Sequence, residues 1–187
     1  SFGLLAVSLL LSAVFGVILG YLSAGKRSGR SLFTIMLSII GISIPSFFTA
    51  MLLQLGVTKI SQATGSQFLP VGGLGWDEHL ILPALVLAAR PLAQISRVTF
   101  VTIEEILLQD YIRTAHSKGL RQRVVTAVHV FRNAAISILT TIGLSLRFSL
   151  SSLPVVEFFF GWTGIGFTLL KAISQRDDNL TVILALT

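Results

Sequence analysis

The sequence contains no cysteine and few charged residues. Its 187 residues include three histidines and only 12% Asp, Glu, Lys and Arg, whereas soluble domains usually carry about 25% charged residues. The absence of thiols excludes disulfide bonds and thiolate metal sites, and three scattered histidines form no metal-ligand cluster. Together with 53% hydrophobic residues, this composition is typical of a membrane protein and argues against a soluble nucleic-acid-binding protein.

Long apolar runs dominate what is present. Ser1–Gly25 and Ser31–Thr58 contain no charged residue, and each exceeds the roughly 20 residues that a spanning helix needs. A secretory signal peptide is the alternative for the first run, but the positive charges follow it instead of preceding it. Two further apolar segments contain Pro and Arg, which spanning helices tolerate inside a bundle.

We therefore predict an all-α membrane protein, a polytopic transmembrane helix bundle. Its spans are expected at about 3–24, 32–57, 80–103 and 134–156, with the start of another at 180. The chain begins within an apolar run without Met and ends in one too short to span. We expect it to be truncated at both ends.

The basic loops predict the orientation, since loops rich in Lys and Arg stay in the cytoplasm. Lys26, Arg27 and Arg30 lie in the loop at 25–31, and five basic residues lie in the loop at 104–133. In the loops at 59–79 and 157–179 the basic residues are balanced by acidic ones. Loops 25–31 and 104–133 are therefore predicted to face the cytoplasm of a bacterial-type inner membrane, which puts Ser1 outside. The same rule accounts for the net charge of +6 without a nucleic acid as partner.

The segment Gly20–Lys26 has the Gly-x4-Gly-Lys spacing of a phosphate-binding loop, but it does not predict nucleotide binding. Arg27 stands where Ser or Thr would ligate Mg²⁺, and the segment follows a membrane helix instead of a strand. We expect no cofactor on this chain, so any ATP and Mg²⁺ would bind to a partner. Gly16 and Gly20 are also candidates for close helix packing.

The longest charged segment, Asp110–Asn133, predicts two short helices joined at a glycine. Ile112 and Ala115 lie one turn apart between Asp110, a candidate N-cap, and Gly119, a candidate C-cap. A second amphipathic helix is expected from about Arg121. Basic amphipathic helices either dock onto a protein or lie on the lipid surface, and the spacing alone leaves both open.

This segment resembles the cytoplasmic "EAA" loop of ABC-importer permeases. The stretch Asp110-Tyr-Ile-Arg-Thr-Ala-His-Ser-Lys-Gly-Leu120 is similar to the B-type subunits of the dipeptide, oligopeptide and nickel permease family. The same family is resembled, in the same order along the chain, by Gly41–Phe47, Leu69–Gly73, His79–Pro83, Arg132–Ala134 and Val156–Gly166. The resemblance implies a helix bundle of the type I ABC-importer permease kind, in a transport subunit that has no catalytic site of its own.

The resemblance also implies that Asp110–Gly119 is a coupling helix in the loop at 104–133, docked onto a cytoplasmic ATPase. Arg113-Thr114-Ala115 stands where the general pattern has Glu-Ala-Ala, so a glutamate contact is not expected, and Ala115 would allow close approach to the partner. The implied coupling residues are Asp110, Tyr111, Arg113, Thr114, Ala115, Lys118, Gly119, Leu120 and Arg123.

The implied partners are a second permease subunit, two ATPase subunits that bind ATP and Mg²⁺, an extracytoplasmic substrate-binding protein and membrane lipid. Peptides are the leading substrate, followed by nickel chelates and other small solutes. The competing function from another class is a self-contained channel or secondary transporter, for which the arginines inside the spans are the main argument.

Charges within the spans point to the translocation path. Arg147 would cost at least about 2.5–3.5 kcal/mol facing lipid. It therefore either lines a pore and meets substrate carboxylates, or is neutralised by an ion pair or by snorkelling; Arg90 is a weaker candidate. Glu157 is expected to be a gate or loop contact. The resemblance implies that Thr163–Ser174 forms a re-entrant helix in the external gate segment 157–179, beside Trp162, Gly164 and Gly166; an interfacial loop is the alternative.

Overall fold

The computed structural model of the chain describes residues 1–24, 30–66 and 69–175. Its regular elements within those ranges are all helical. They are α1 (Phe2–Ser23), α2 (Arg30–Ser43), α3 (Ser46–Thr64), a 3-10 turn (Glu78–Leu80), α4 (Ile81–Leu107), α5 (Asp110–Ser117), α6 (Gln122–Val124), a π-helix (Val125–Phe131), α7 (Arg132–Phe160) and α8 (Ile165–Ser174).

Among the described residues, three helical stretches are long and apolar enough to cross a membrane, namely Phe2–Ser23, Glu78–Leu107 and Gln122–Phe160, and α2 with α3 would form a fourth span if they are counted together. A chain with several such helices is a multi-pass membrane protein. Residues 25–29 of the first predicted loop, and the span predicted to start at 180, lie outside the described residues.

The second apolar run is bent, whereas the sequence predicts one helix over 32–57. Helices α2 and α3 meet at 102° across a short break. Pro45 stands at the break with extended backbone angles of −63° and 145°. Because proline has no N–H and disfavours helical angles at the residue before it, the chain turns there.

The second helix of the charged segment is not separate from the span that follows it. Residues Gln122–Phe160 form one helical stretch of 39 residues, of which Val125–Phe131 has π geometry. The sequence predicts a boundary near Asn133, yet no Pro or Gly stands between Arg121 and Asn133 to stop a helix. The side chain of Asn133 donates to His129 O at 2.6 Å within the helix.

The chain divides into two compact units. The first unit comprises Ser1–Leu9, Ile44–Arg90 and Arg147–Thr187, and the second comprises Leu10–Ser43 and Pro91–Leu146. In the second unit α1 packs closely on α4 at two glycines. A β-carbon on Gly20 would lie only 2.6 Å from Ser96 O, and one on Gly16 only 3.0 Å from Ile95 Cβ. The helix-packing role predicted for these two glycines is confirmed.

Candidate functional site

Helix α5 ends in a tight turn that depends on glycine. Gly119 has a φ of 73°, a conformation that costs residues with a β-carbon about 1–2 kcal/mol. Its N–H donates to His116 O at 2.9 Å, and the Leu120 N–H donates to Ala115 O at 3.3 Å. This pair of bonds is a Schellman motif, which satisfies two carbonyls at the helix end. The turn predicted at Gly119 is confirmed.

The start of α5 lies one residue before the predicted position. Gln109 is the N-cap, with extended angles of −71° and 146°, and its carbonyl accepts the first bond from Ile112 N at 3.1 Å. Asp110 is therefore the first helical residue instead of the cap, and its Oδ1 lies 3.5 Å from Arg113 Nη1. A carboxylate in the first turn still interacts favourably with the positive end of the helix dipole.

The inner face of α5 packs into an apolar cluster of the second unit. Ile112 and Ala115 are 2% and 5% exposed. The other buried members of this cluster are Ile103, Ile106, Val125, Val130, Ala134 and Ile138. Ala115 is therefore buried within its own chain, where a small side chain lets α5 lie close to the cluster, whereas the sequence predicts close approach to a partner.

Two polar contacts tie α5 to the helix that follows it. In the first contact, Nε2 of the His116 ring lies 2.8 Å from Gln122 Oε1 in the next helix. Nδ1 of the same ring lies 2.9 Å from Ile112 O, which holds the ring in place within α5. The Asn133 amide also lies 3.4 Å from the hydroxyl of Tyr111. The sequence does not assign His116 or Gln122 to this site, although their position on either side of Gly119 is the signal that could have suggested the contact.

The outer face of α5 and the turn beyond it are exposed and mainly basic. Arg113, Lys118 and Arg123 project there with one acidic residue, Asp110. All the implied coupling residues except Ala115 are exposed, namely Asp110, Tyr111, Arg113, Thr114, Lys118, Gly119, Leu120 and Arg123. The structure therefore places the predicted coupling residues on α5, on the turn that follows it and at the start of the next helix.

The first unit holds the two predicted pore arginines on separate helices. Arg90 near the middle of α4 and Arg147 within α7 are both exposed. The guanidinium carbon of Arg90 lies 4.8 Å from the ring centroid of Phe148, the residue after Arg147, which is a cation–π contact. Within the described parts of the chain neither arginine forms an ion pair.

The predicted gate residues meet where α7 passes into α8, also in the first unit. Glu157 and Trp162 are 0% and 3% exposed. Gly164 is the N-cap of α8, and Gly166 is buried in its first turn. A helix is thus present where the sequence predicts one over Thr163–Ser174, although it begins at Ile165. Glu157 is enclosed by protein instead of lining an open path.

A loop in the same unit is ordered by an acid–histidine contact. Asp77 accepts hydrogen bonds from the backbone N–H of His79 at 3.1 Å and from its ring at 2.7 Å. The His79 side chain, followed by its backbone N–H, lowers the pKa of the Asp77 carboxyl below its usual value. The contact therefore stabilises the folded loop at pH values above the ordinary carboxyl pKa, and this stabilisation is lost as the pH falls through the lowered pKa of Asp77.

Most of the chain is similar to known membrane proteins of one family. Residues 12–187 match the family described as the inner membrane component of binding-protein-dependent transport systems. The chain is 37% identical, over 91% of its length, to the di/tripeptide transport system permease protein of Pseudomonas aeruginosa. It is 35% identical, over 95% of its length, both to the dipeptide transport system permease protein of Bacillus subtilis and to the glutathione transport system permease protein of Pectobacterium atrosepticum. The chain spans 56–58% of the length of these relatives.

Proposed function

Because the chain belongs to the family of inner membrane components of binding-protein-dependent transport systems, we propose that it is part of a permease subunit of an ATP-driven importer. The observation that carries the proposal is α5, a short helix fixed by its own apolar core and presenting a basic face. A helix that is packed on its own chain can pass the movement of a docked partner into that chain. A helix that lies on the lipid surface without such packing could not.

In this proposal α5 is the coupling helix and docks into a cleft of a cytoplasmic ATPase. Arg113, Lys118 and Arg123 would pair with acidic residues there, which favours encounter and correct orientation. Exposed Tyr111 and Leu120 would supply apolar contact area. The apolar cluster beneath Ile112 and Ala115 would pass displacement of α5 into α4 and the π-helix.

The proposed assembly contains a second permease subunit, two ATPase subunits and an extracytoplasmic binding protein that delivers the substrate. ATP and Mg²⁺ would bind to the ATPases, and this chain would carry out no chemistry of its own. ATP binding would draw the coupling helices together and change which side of the membrane the path opens to, since a ligand shifts the equilibrium toward the state it binds best. Loop 104–133 would then be cytoplasmic, and segment 157–179 would form the external gate.

Peptides are the proposed substrates, because the relatives named for peptide transport cover nearly the whole of this chain. Arg90 and Arg147 support this substrate class. An exposed guanidinium without an acidic partner is costly in a membrane unless it meets water or an anion, and every peptide carries a carboxylate. Guanidinium groups bind carboxylates through two parallel hydrogen bonds.

Reconstitution tests the function directly. The full-length subunit is placed in liposomes with its second permease subunit, ATPases and binding protein, and uptake of a radiolabelled dipeptide is measured. We expect uptake only when ATP and the ATPase subunits are present. Uptake that persists without the ATPases would instead establish a self-contained channel or secondary transporter.

A further inference from the structure

Glu157 is a fully buried carboxylate that binds a helix end through one of its two oxygens. It lies on α7 three residues before the last helical residue, and it is 0% exposed. Its Oε2 accepts a hydrogen bond from the backbone N–H of Phe167 at 2.9 Å. Phe167 is the third residue of α8, so this N–H is one of those that a helix leaves without an internal partner. Gly164, the N-cap itself, has no side chain to fill that role.

The two glycines of this corner leave room for the carboxylate. A β-carbon on Gly164 would collide with Glu157 Oε1, and one on Gly166 would lie 3.0 Å from Glu157 Oε2 and 2.5 Å from Pro154 Cα. Real β-carbons essentially never lie closer than 3.0 Å to another atom, and a contact of 3.0 Å is itself unusually tight. Gly164 and Gly166 therefore bring the first turn of α8 against the side chain of Glu157.

The backbone around Glu157 is fixed in several further ways. The Trp162 N–H donates to Glu157 O at 2.9 Å, and the Gly73 N–H donates to Phe160 O at 2.8 Å. The Gln54 side-chain amide donates to Phe159 O at 3.1 Å. The end of α7 is thus held in place, so the carboxylate has a defined position from which to bind α8.

We infer that Glu157 is a positioning residue that joins α8 to the end of α7 by capping the first turn of α8 from ten residues upstream. The positive end of the α8 dipole favours this carboxylate. Since Glu157 is enclosed, substrate does not touch it; it acts by keeping α8 in place when α7 moves. The capping itself is independent of the proposed function, and only its effect on transport rests on α8 being the gate.

Substitutions of Glu157 in the full-length subunit, assembled with its partners, test the inference. Glu157→Ala removes the cap, so we expect amide exchange across 165–168 to accelerate roughly tenfold to a hundredfold, the range expected for a lost hydrogen bond to a charged group. Glu157→Gln keeps an oxygen acceptor for Phe167 N–H and should restore most of the protection. Glu78→Ala, which removes an exposed carboxylate of the same unit, is the matched control and should leave exchange at 165–168 unchanged.

A double-mutant comparison separates the cap from general packing. Gly164→Ala collides with the Glu157 side chain and with the Ser1 hydroxyl, so its effect on uptake should be smaller, but not absent, in the Glu157→Ala background. Gly166→Ala also collides with the backbone of Pro154, so its effect should persist when Glu157 is removed. The effects of Glu157→Ala and Gly164→Ala on uptake should therefore be non-additive, because the added β-carbon would be in contact with the Glu157 side chain. The effects of Glu157→Ala and Gly166→Ala should be closer to additive.

The outcomes distinguish this inference from the proposed function. Unchanged exchange at 165–168 in Glu157→Ala, or failure of Glu157→Gln to restore it in assembled complexes, overturns the capping role. Accelerated exchange with normal dipeptide uptake upholds the cap and removes the gate role proposed for α8. Accelerated exchange together with reduced uptake supports both.

Discussion

Arg147 is an exposed guanidinium within an apolar helix, and its neighbour Phe148 is already covered by Arg90. If Arg147 meets substrate, Arg147→Ala should lower dipeptide uptake per assembled complex roughly tenfold or more, since hydrogen bonds to charged groups are worth about 1.5–3 kcal/mol. Arg147→Lys keeps the charge but cannot form the two parallel hydrogen bonds of a guanidinium. Its uptake should lie between that of Arg147→Ala and that of the unsubstituted subunit. Uptake and the yield of complex are measured side by side.

The control for Arg147 is Lys59→Ala, which removes one exposed positive charge at the C-terminal part of α3. It should leave uptake near the unsubstituted level. A fall in complex yield without a change in uptake per complex would show that Arg147 serves assembly and not the path.

Ala115 and Thr114 are adjacent but face opposite ways, since Ala115 is buried and Thr114 is exposed. Ala115→Trp overfills the cluster around Ile112, so the permease alone should lose about 1–3 kcal/mol of stability. Thr114→Trp should leave that stability unchanged and weaken ATPase binding. The measurements are thermal unfolding of the solubilised permease and co-purification of the ATPase; tight ATPase binding by Thr114→Trp would contradict docking through the outer face.

Individual residue roles were predicted unevenly from the sequence. Gly119 was predicted well because a left-handed helix end is a local requirement of the backbone. The burial of Ala115 in the apolar cluster of its own chain is not predicted, because three- and four-residue spacing identifies an inner face without saying whose core it enters. The contact from Glu157 to α8 spans ten residues and depends on where two glycines bring the chain, which spacing does not reveal.

Helix α5 as an element depends on its C-terminal turn. The space around a β-carbon on Gly119 is empty, so the cost of Gly119→Ala is conformational and should be about 1 kcal/mol or somewhat more. Gly119→Asn should cost less, because asparagine tolerates this conformation. We expect Gly119→Ala to lower the melting temperature of the complex and to raise the ATP hydrolysed per dipeptide imported.

The matched control for that element is Gly56→Ala, a glycine inside α3 whose β-carbon would also meet empty space. Alanine is the better helix former by about 1 kcal/mol, so this change should be neutral or stabilising. Equal melting temperatures for Gly119→Ala and the unsubstituted complex would contradict the role given to the turn.

At the level of helices, the apolar runs predicted where helices occur and failed at their junctions. Composition does not show that the chain bends by 102° at the break beside Pro45, because Pro91 and Pro154 lie inside α4 and α7 without ending those helices. The charged loop at 104–133 predicts a separate helix before the span at 134–156, yet polar residues do not end a helix unless the backbone bonds are broken, and the helix runs on through Phe160.

For the molecule as a whole, the distribution of basic residues predicts the orientation in the membrane. A cysteine introduced at Lys118 should react with a membrane-impermeant maleimide only after permeabilisation, and one at Trp76, which is 74% exposed, should react in intact spheroplasts. The absence of cysteine from this sequence keeps the background low once cysteines elsewhere in the full-length protein are replaced. The reverse labelling pattern would invert the topology and place α5 beyond reach of a cytoplasmic ATPase.

The π-helix at Val125–Phe131 is the place in this helical stretch where one residue can be gained or lost without rotating the flanking helices. A π turn accommodates one residue more than an α turn, so deleting one residue there would restore an α-helix while both flanking faces keep their orientation. A deletion within α7 would instead rotate every following residue by about 100° and turn Arg147 or Glu157 away from its present surroundings. Single-residue insertions and deletions among related permeases are therefore expected between Val125 and Phe131, and not farther along α7.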